Sequence, residues 1–306
     1  MIFRLAPIVL WTFVLGSALP VYGQSTPTTP DAASADTSRW TRTVTGKISG
    51  SQAAYKDWQE GGLNSIALST SLDGRAQKRG RRWVQTHEAR LTFGFLDQEG
   101  EEFRKSEDLI RLQSNLRYQG SGFFRVFNPT VAANVRTQFA KGFDYTGNPF
   151  PAGTPQADDE APVQTSEFLA PAFFTESLGL TYEPAPWIAL RLGGAAKQTV
   201  VMNEDLRILY DLDRNQAVRM EAGAEFAVDV NRDIAENVRY TSRFNAFFSF
   251  NQTEDPPDFI WENVISMKVN DWLSTELEFV GLFDQNTTDA LQLKEVLSVG
   301  VSFVLM

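Results

Sequence analysis

From Trp40 to the end of the chain, polar and apolar residues alternate with period two in one segment after another. Successive side chains of a strand point to opposite faces, so this period puts an apolar set on one face and a polar set on the other. The last segment is the clearest case. Leu291, Leu293, Leu297, Val299, Val301, Phe303 and Leu305 share one face, and Gln292, Lys294, Ser298, Gly300 and Ser302 share the other. Val218, Met220, Ala222, Ala224, Phe226 and Val228 oppose Arg219, Glu221, Gly223, Glu225 and Asp229. Val238, Tyr240, Phe244, Ala246, Phe248 and Phe250 oppose Arg239, Thr241, Arg243 and Asn245. Ile110, Leu112, Leu116 and Tyr118 oppose Arg111, Gln113, Asn115 and Arg117.

About 12 such segments follow one another, each long enough for a tilted strand to cross a bilayer. They span 40–52, 63–77, 82–95, 104–119, 122–140, 167–183, 187–200, 216–230, 236–251, 258–270, 272–284 and 291–305. The connections alternate between short and long. Short ones hold Lys78-Arg79-Gly80-Arg81, Gln119-Gly120-Ser121-Gly122, Glu183-Pro184-Ala185-Pro186, the Asn231 to Asp233 region and Asn270-Asp271. Longer ones lie near 53–62, 96–103, 141–166, 201–215, 252–257 and 285–290. Outer-membrane barrels show this alternation of short periplasmic turns and long extracellular loops. Aromatic residues cluster at both strand ends, with Trp40, Trp83, Tyr118, Tyr182, Trp187 and Trp272 by the short turns and Trp58, Phe95, Phe250, Phe259, Trp261 and Phe283 by the long loops. Two such rows read as interfacial girdles. The expected fold is therefore all-β, an antiparallel up-and-down transmembrane β-barrel of about 12 strands over 40–306. A soluble β-sandwich is the alternative.

The mean hydropathy of −0.25 does not oppose this, because lipid-facing and lumen-facing residues of a barrel average out. After the N-terminus no apolar run approaches a membrane-spanning helix. Residues 1–23 read as a signal peptide, with Arg4 before an apolar run and small residues at Val21 and Gly23. Residues 24–39, rich in Ser, Thr, Pro and Ala, read as a disordered tail. The final stretch, Ser298 to Leu305, resembles the assembly signal of outer-membrane barrels, with Leu305 in place of the usual Phe and Met306 after it. That resemblance implies the barrel-assembly machinery as a partner, alongside outer-membrane lipid.

A second resemblance lies in Ser51-Gln52-Ala53-Ala54-Tyr55-Lys56-Asp57-Trp58-Gln59-Glu60-Gly61-Gly62-Leu63-Asn64-Ser65. Ser51, Gln52, Trp58, Gly61, Gly62 and Asn64 follow a pattern that resembles the domain of unknown function 3078 family. The resemblance implies a secreted, β-rich outer-membrane protein and brings no activity with it. Physically, Gly61-Gly62 suits tight re-entry into a strand, and Asn64 suits bonding to nearby backbone.

The chain has no Cys, so disulfides, thiol catalysis and thiolate metal sites are excluded. A net charge of −10 argues against nucleic acid, whose phosphates need a basic patch. No metal motif or phosphate loop is present, and no cofactor is expected. The acidic stretches Asp97 to Glu102 and Asp158-Asp159-Glu160 read as solvated loop charges. His87 is the one histidine. Outer-membrane phospholipases place His and Ser two positions apart on one strand face, whereas Gln85 and Ala89 hold those positions here. A serine from another strand stays compatible with catalysis, since triads are set by geometry. Paired carboxylates on one face, Glu221 with Glu225 or Glu276 with Glu278, read as members of neutralising ladders rather than acid–base pairs.

The polar faces supply the functional expectation. Arg111, Arg117, Arg219, Glu221, Glu225, Arg239, Arg243, Glu276 and Glu278 are expected to line a lumen. This points to a narrow pore or small-solute channel without enzymatic activity. A non-transporting barrel that binds a partner through its long loops is the alternative, and a lipid-modifying enzyme is the third reading.

Overall fold

The computed structural model describes residues 40–54 and 64–306. The signal-peptide and tail assignments, and Trp58, Gly61 and Gly62 of the motif, fall outside these residues. The first strands are β1 (Trp40–Ala53), β2 (Ser65–Arg79), β3 (Trp83–Gln98), β4 (Arg104–Tyr118) and β5 (Phe127–Thr137). A short separate sheet pairs β6 (Gly142–Asp144) with β7 (Val163–Ser166). Then come β8 (Ala172–Ala185), β9 (Ile188–Val200), β10 (Val218–Ala235), β11 (Val238–Ser249), β12 (Asp258–Lys268), β13 (Leu273–Asp284) and β14 (Thr288–Val304). Apart from β6 and β7, these strands pair antiparallel with their sequence neighbours, and β1 closes on β14 from Thr45↔Val304 to Gly50↔Val299. The result is a closed barrel of twelve strands in up-and-down order.

Its side chains are inverted relative to a soluble protein. Leu178 and Leu192 are 66% and 64% exposed, while Glu221 and Thr199 are 3% and 1% exposed. Period-two alternation assigns the apolar set outward and the charged set inward. On the outward face of β10 to β13, Phe226, Phe244, Phe259 and Phe283 form a row with ring centroids 6.4, 6.1 and 6.1 Å apart. At the opposite strand ends, Trp83 lies 4.9 Å from Tyr118, and Phe127 lies 4.9 Å from Phe123 and 5.4 Å from Tyr182. Each end of the barrel thus carries an aromatic row.

β8 and β9 approach each other closely at a pair of facing glycines. Gly179 pairs with Gly193, and a Cβ built on either would stand 2.7 or 2.6 Å from the other's Cα. Only glycine allows this approach of two backbones.

Two expectations needed revision. The segment 122–140 is not one strand. Phe123–Val126 (α1) forms a single helical turn, closed by Arg125 N–H donating to the Gly122 carbonyl at 3.1 Å, with Gly122 at φ 61°. At its other end, the Asp108 carboxylate accepts from the N–H groups of Phe139 (2.7 Å) and Ala140 (2.9 Å). Those donors are thereby taken from the ladder and β5 stops at Thr137. The alternation of connection lengths also weakens at the end of the chain. β14 begins at Thr288, because Asn286 N–H donates to the Asp284 carboxylate (3.1 Å) and Thr287 N–H to its carbonyl (2.9 Å), which draws the loop into a tight turn.

The connections 138–171 and 201–217 are folded rather than extended. They share a small apolar core of Phe150, Val163, Ala170, Val201, Leu206, Tyr210 and Leu212. The Tyr210 hydroxyl donates to the Thr165 carbonyl at 2.9 Å, and burial pushes its pKa up, so it remains a donor. The Arg219 guanidinium fastens this region to β10 by donating to the carbonyls of Tyr210 (2.8 Å) and Asp211 (3.1 Å).

Candidate functional site: the charged interior of the barrel

A cavity of about 620 Å³ runs inside the barrel. The facing walls of the barrel differ in charge, although Glu88 and Glu107 stand on the arginine side. On β3, β4 and β5 the inward ladder carries Arg90, Arg111 and Arg136 side by side, with register pairs Arg90↔Arg111 and Arg111↔Arg136. Arg117 stands further along β4. Across the interior, β12 and β13 present Asp258, Glu262, Glu276, Glu278 and Asp284.

Ion pairs join the two sides. The Arg111 guanidinium bonds the Glu262 carboxylate, and their strands lie six places apart in the ring of twelve, which makes them diametrically opposed. Arg243 on β11 reaches Glu88 on β3 at 3.3 Å, again six places away, and lies 3.8 Å from Glu262. Arg75 bonds Glu88 at 2.5 Å, and Asp229 holds Arg243 at 3.2 Å. Arg111, Arg243, Glu88 and Glu262 therefore form a bridge of side chains across the waist. Towards the loops, the Lys197 ammonium is gripped by Asp258 (2.5 Å) and Asp284 (2.7 Å), with Glu221 at 3.9 Å. The rings of Phe173 and Phe247 flank it at 5.9 and 6.0 Å. Charges this far from bulk water persist because each is met by an opposite charge and hydrogen bonds.

Of the residues expected to line a lumen, Arg111, Arg117, Glu225 and Arg243 line this cavity. Arg117 bonds Glu183, and Arg191 bonds Glu225 at 3.1 Å. Arg219 and Glu221 pair at 3.3 Å, buried beneath the loop core. Glu276 bonds Lys47, and Glu278 lies 3.5 Å from Lys294. Arg239 stands at the rim beside the turn, exposed, and bonds Asp233 at 2.8 Å. Sequence reasoning passed over Glu88, Arg136, Lys197, Asp258, Glu262 and Asp284. The signal was present, since Arg191 and Lys197 share one face of β9 while Ile188, Leu190 and Leu192 hold the other.

Ser51 and Gln52 of the motif lie on β1, paired with Ala67 and Ile66 of β2. Asn64 donates from its amide to the Glu99 carboxylate at 2.7 Å, and its carbonyl accepts from Glu99 N–H at 2.8 Å. This ties the start of β2 to the connection between β3 and β4. His87 Nδ1 is 2.9 Å from the Ser114 hydroxyl, and the pair sits on the outward wall with the Trp40 ring 5.6 Å from the imidazole and tilted to it. Among the described residues no carboxylate hydrogen-bonds the ring.

Several known proteins are similar. No curated protein matches the sequence. Among solved structures, an outer membrane channel from Pseudomonas putida F1 is 11% identical, with a TM-score of 0.38, over 90% of this chain and 99% of that one. The translocator domain of the autotransporter NalP from Neisseria meningitidis is 6% identical, with a TM-score of 0.36, over 86% and 87% of the two chains. Residues 51–143, which begin in the motif on β1 and end in β6, match the model of the family described as Protein of unknown function (DUF3078), the family that the motif resembles.

Proposed function

We infer that the protein is an outer-membrane barrel working as a narrow channel for small solutes. The observation that carries this is a charge-lined cavity of about 620 Å³ inside a closed barrel, crossed at its waist by paired side chains. Side chains rearrange far more readily than strands, so a waist of this kind limits solute size and is able to open. The apolar outer wall and its two aromatic rows support contact with outer-membrane lipid. The even strand number puts both ends of the barrel chain at the short-turn rim, which supports periplasmic termini. A signal peptide at 1–23, a tail at 24–39 and insertion by the barrel-assembly machinery complete the reading.

The test is single-channel recording in planar bilayers of the refolded chain. Small, discrete conductance steps are expected, and Glu88→Ala with Glu262→Ala should enlarge them. Silence from both proteins at high protein load overturns the channel. The folded core under the loops favours a second reading, a barrel that binds a surface partner through 138–171. Loss of a surface interaction on exchange of that loop, with permeability unchanged, would select it.

A further inference from the structure

The acids of β12 and β13 all have partners, whereas the arginine row leaves one member without. Asp258 and Asp284 hold Lys197, Glu262 holds Arg111, Glu276 holds Lys47 and Glu278 faces Lys294. On the facing wall Arg90 bonds Asp73 at 2.6 Å. Arg136 lines the cavity and makes no hydrogen bond or ion pair among the described residues. Two residues along the same face of β5, the side-chain oxygen of Asn134 is buried and has no hydrogen-bond partner. An amide presents either its oxygen or its NH₂, so Asn134 can donate beside the guanidinium. Arg136 is paired in register with Phe173, and Leu109, Phe247 and Leu282 line the same cavity.

We propose that the cavity binds a small organic anion, with its carboxylate on Arg136 and Asn134 and its apolar body against Phe173, Phe247, Leu109 and Leu282. A guanidinium binds a carboxylate through two parallel N–H donors, and the planar fork suits Arg136 better than a lysine would. The apolar part leaves water for the Phe173 and Phe247 rings, as in ligand sites that combine a greasy lining with a few placed polar groups. This names the solute class of the channel, and so rests on the channel reading for its physiological meaning. The acids that line the cavity are each held by a cation, so a cationic solute of the same shape finds no free carboxylate and meets Arg136 instead.

The test is calorimetric titration of the folded full chain in detergent with four probes: benzoate, acetate, benzyl alcohol and benzylammonium. Benzoate should bind, acetate and benzyl alcohol at least about tenfold more weakly, and benzylammonium not at all. Arg136→Gln should weaken benzoate about tenfold, with Arg136→Lys regaining part of it, while heat-modifiable gel migration shows that both variants fold. Phe173→Ala should weaken benzoate and leave acetate unchanged. His87→Ala, on the outward wall, serves as the neutral control. Benzoate binding no tighter than acetate, or unaffected by Arg136→Gln, overturns the site. A barrel that conducts without binding benzoate loses this inference alone. One that binds benzoate without conducting loses only the channel.

Discussion

The two facing walls of the interior carry charge of opposite sign and treat it differently. On β12 and β13 each inward acid reaches a cation on another strand, and Glu262 does so across the full width of the barrel. On β3 to β5 the arginines stand beside one another in a single ladder row, and Arg136 is left over. Strand pairing alone would place like charges together and destabilise both walls. The barrel's width corrects this, because a long arginine on one wall meets a carboxylate on the other. The difference teaches that the walls are neutralised through the lumen. The same groups therefore hold the barrel's cross-section and govern passage through it.

The largest break in that arrangement is expected from Lys197→Met. One ammonium serves Asp258 and Asp284, so its loss strands two buried carboxylates. Removing one partner of a buried pair costs roughly 3–5 kcal/mol, and the upper part of that range is expected here. Urea unfolding followed by tryptophan fluorescence measures it. A change under about 1 kcal/mol would show that the cluster is hydrated and contributes little. Reversal potentials in a salt gradient should also move towards cation preference, since two uncompensated acids then line the loop side.

Glu262→Ala comes next and acts on the opposite sign. Arg111 loses its bonded partner, while Arg243 keeps Glu88 and Asp229. A loss of about 3 kcal/mol is expected, with a shift towards anion preference. The exchange Arg111→Glu with Glu262→Arg should recover most of the stability. If the double variant is no better than the sum of the singles, the two residues are not coupled across the lumen.

These partners also mark how far the sequence could be read. The alternation around Glu221 and Glu225, or around Arg111 and Arg117, is local, and it put the strands and their inward faces within a few residues of where they lie. The exception at 122–140 arose from long-range bonding, since the Asp108 carboxylate that ends β5 belongs to another strand. The waist was not legible for a related reason. Arg111 and Glu262 are joined by barrel closure, and nothing in the local pattern states which strands stand opposite. Arg136 shows the same limit from the other side, because only the full set of pairs reveals which charge has none.

Arg239→Ala tests whether the effect belongs to the interior. Arg239 and Asp233 form an exposed pair at the turn rim, screened by water and salt. Conductance, selectivity and the urea midpoint should match the unmodified protein. A change in selectivity here would extend the selective region from the waist to the rim.

The smallest effect among the interior substitutions is expected from Arg136→Gln in the absence of any ligand. Every other interior substitution removes half of a pair and should destabilise. This one removes a cation whose register neighbour is Arg111 and which bonds no acid directly; Glu262, which lies within its field, keeps Arg111 and Arg243, so like-charge repulsion is relieved and no group is stranded. A gain of about 0.5 kcal/mol in urea unfolding is expected, the sign opposite to that of Glu262→Ala. A loss as large as that of Glu262→Ala would mean that Arg136 is paired after all. The asymmetry between the walls, and the free guanidinium that makes room for an anion, would fall with it.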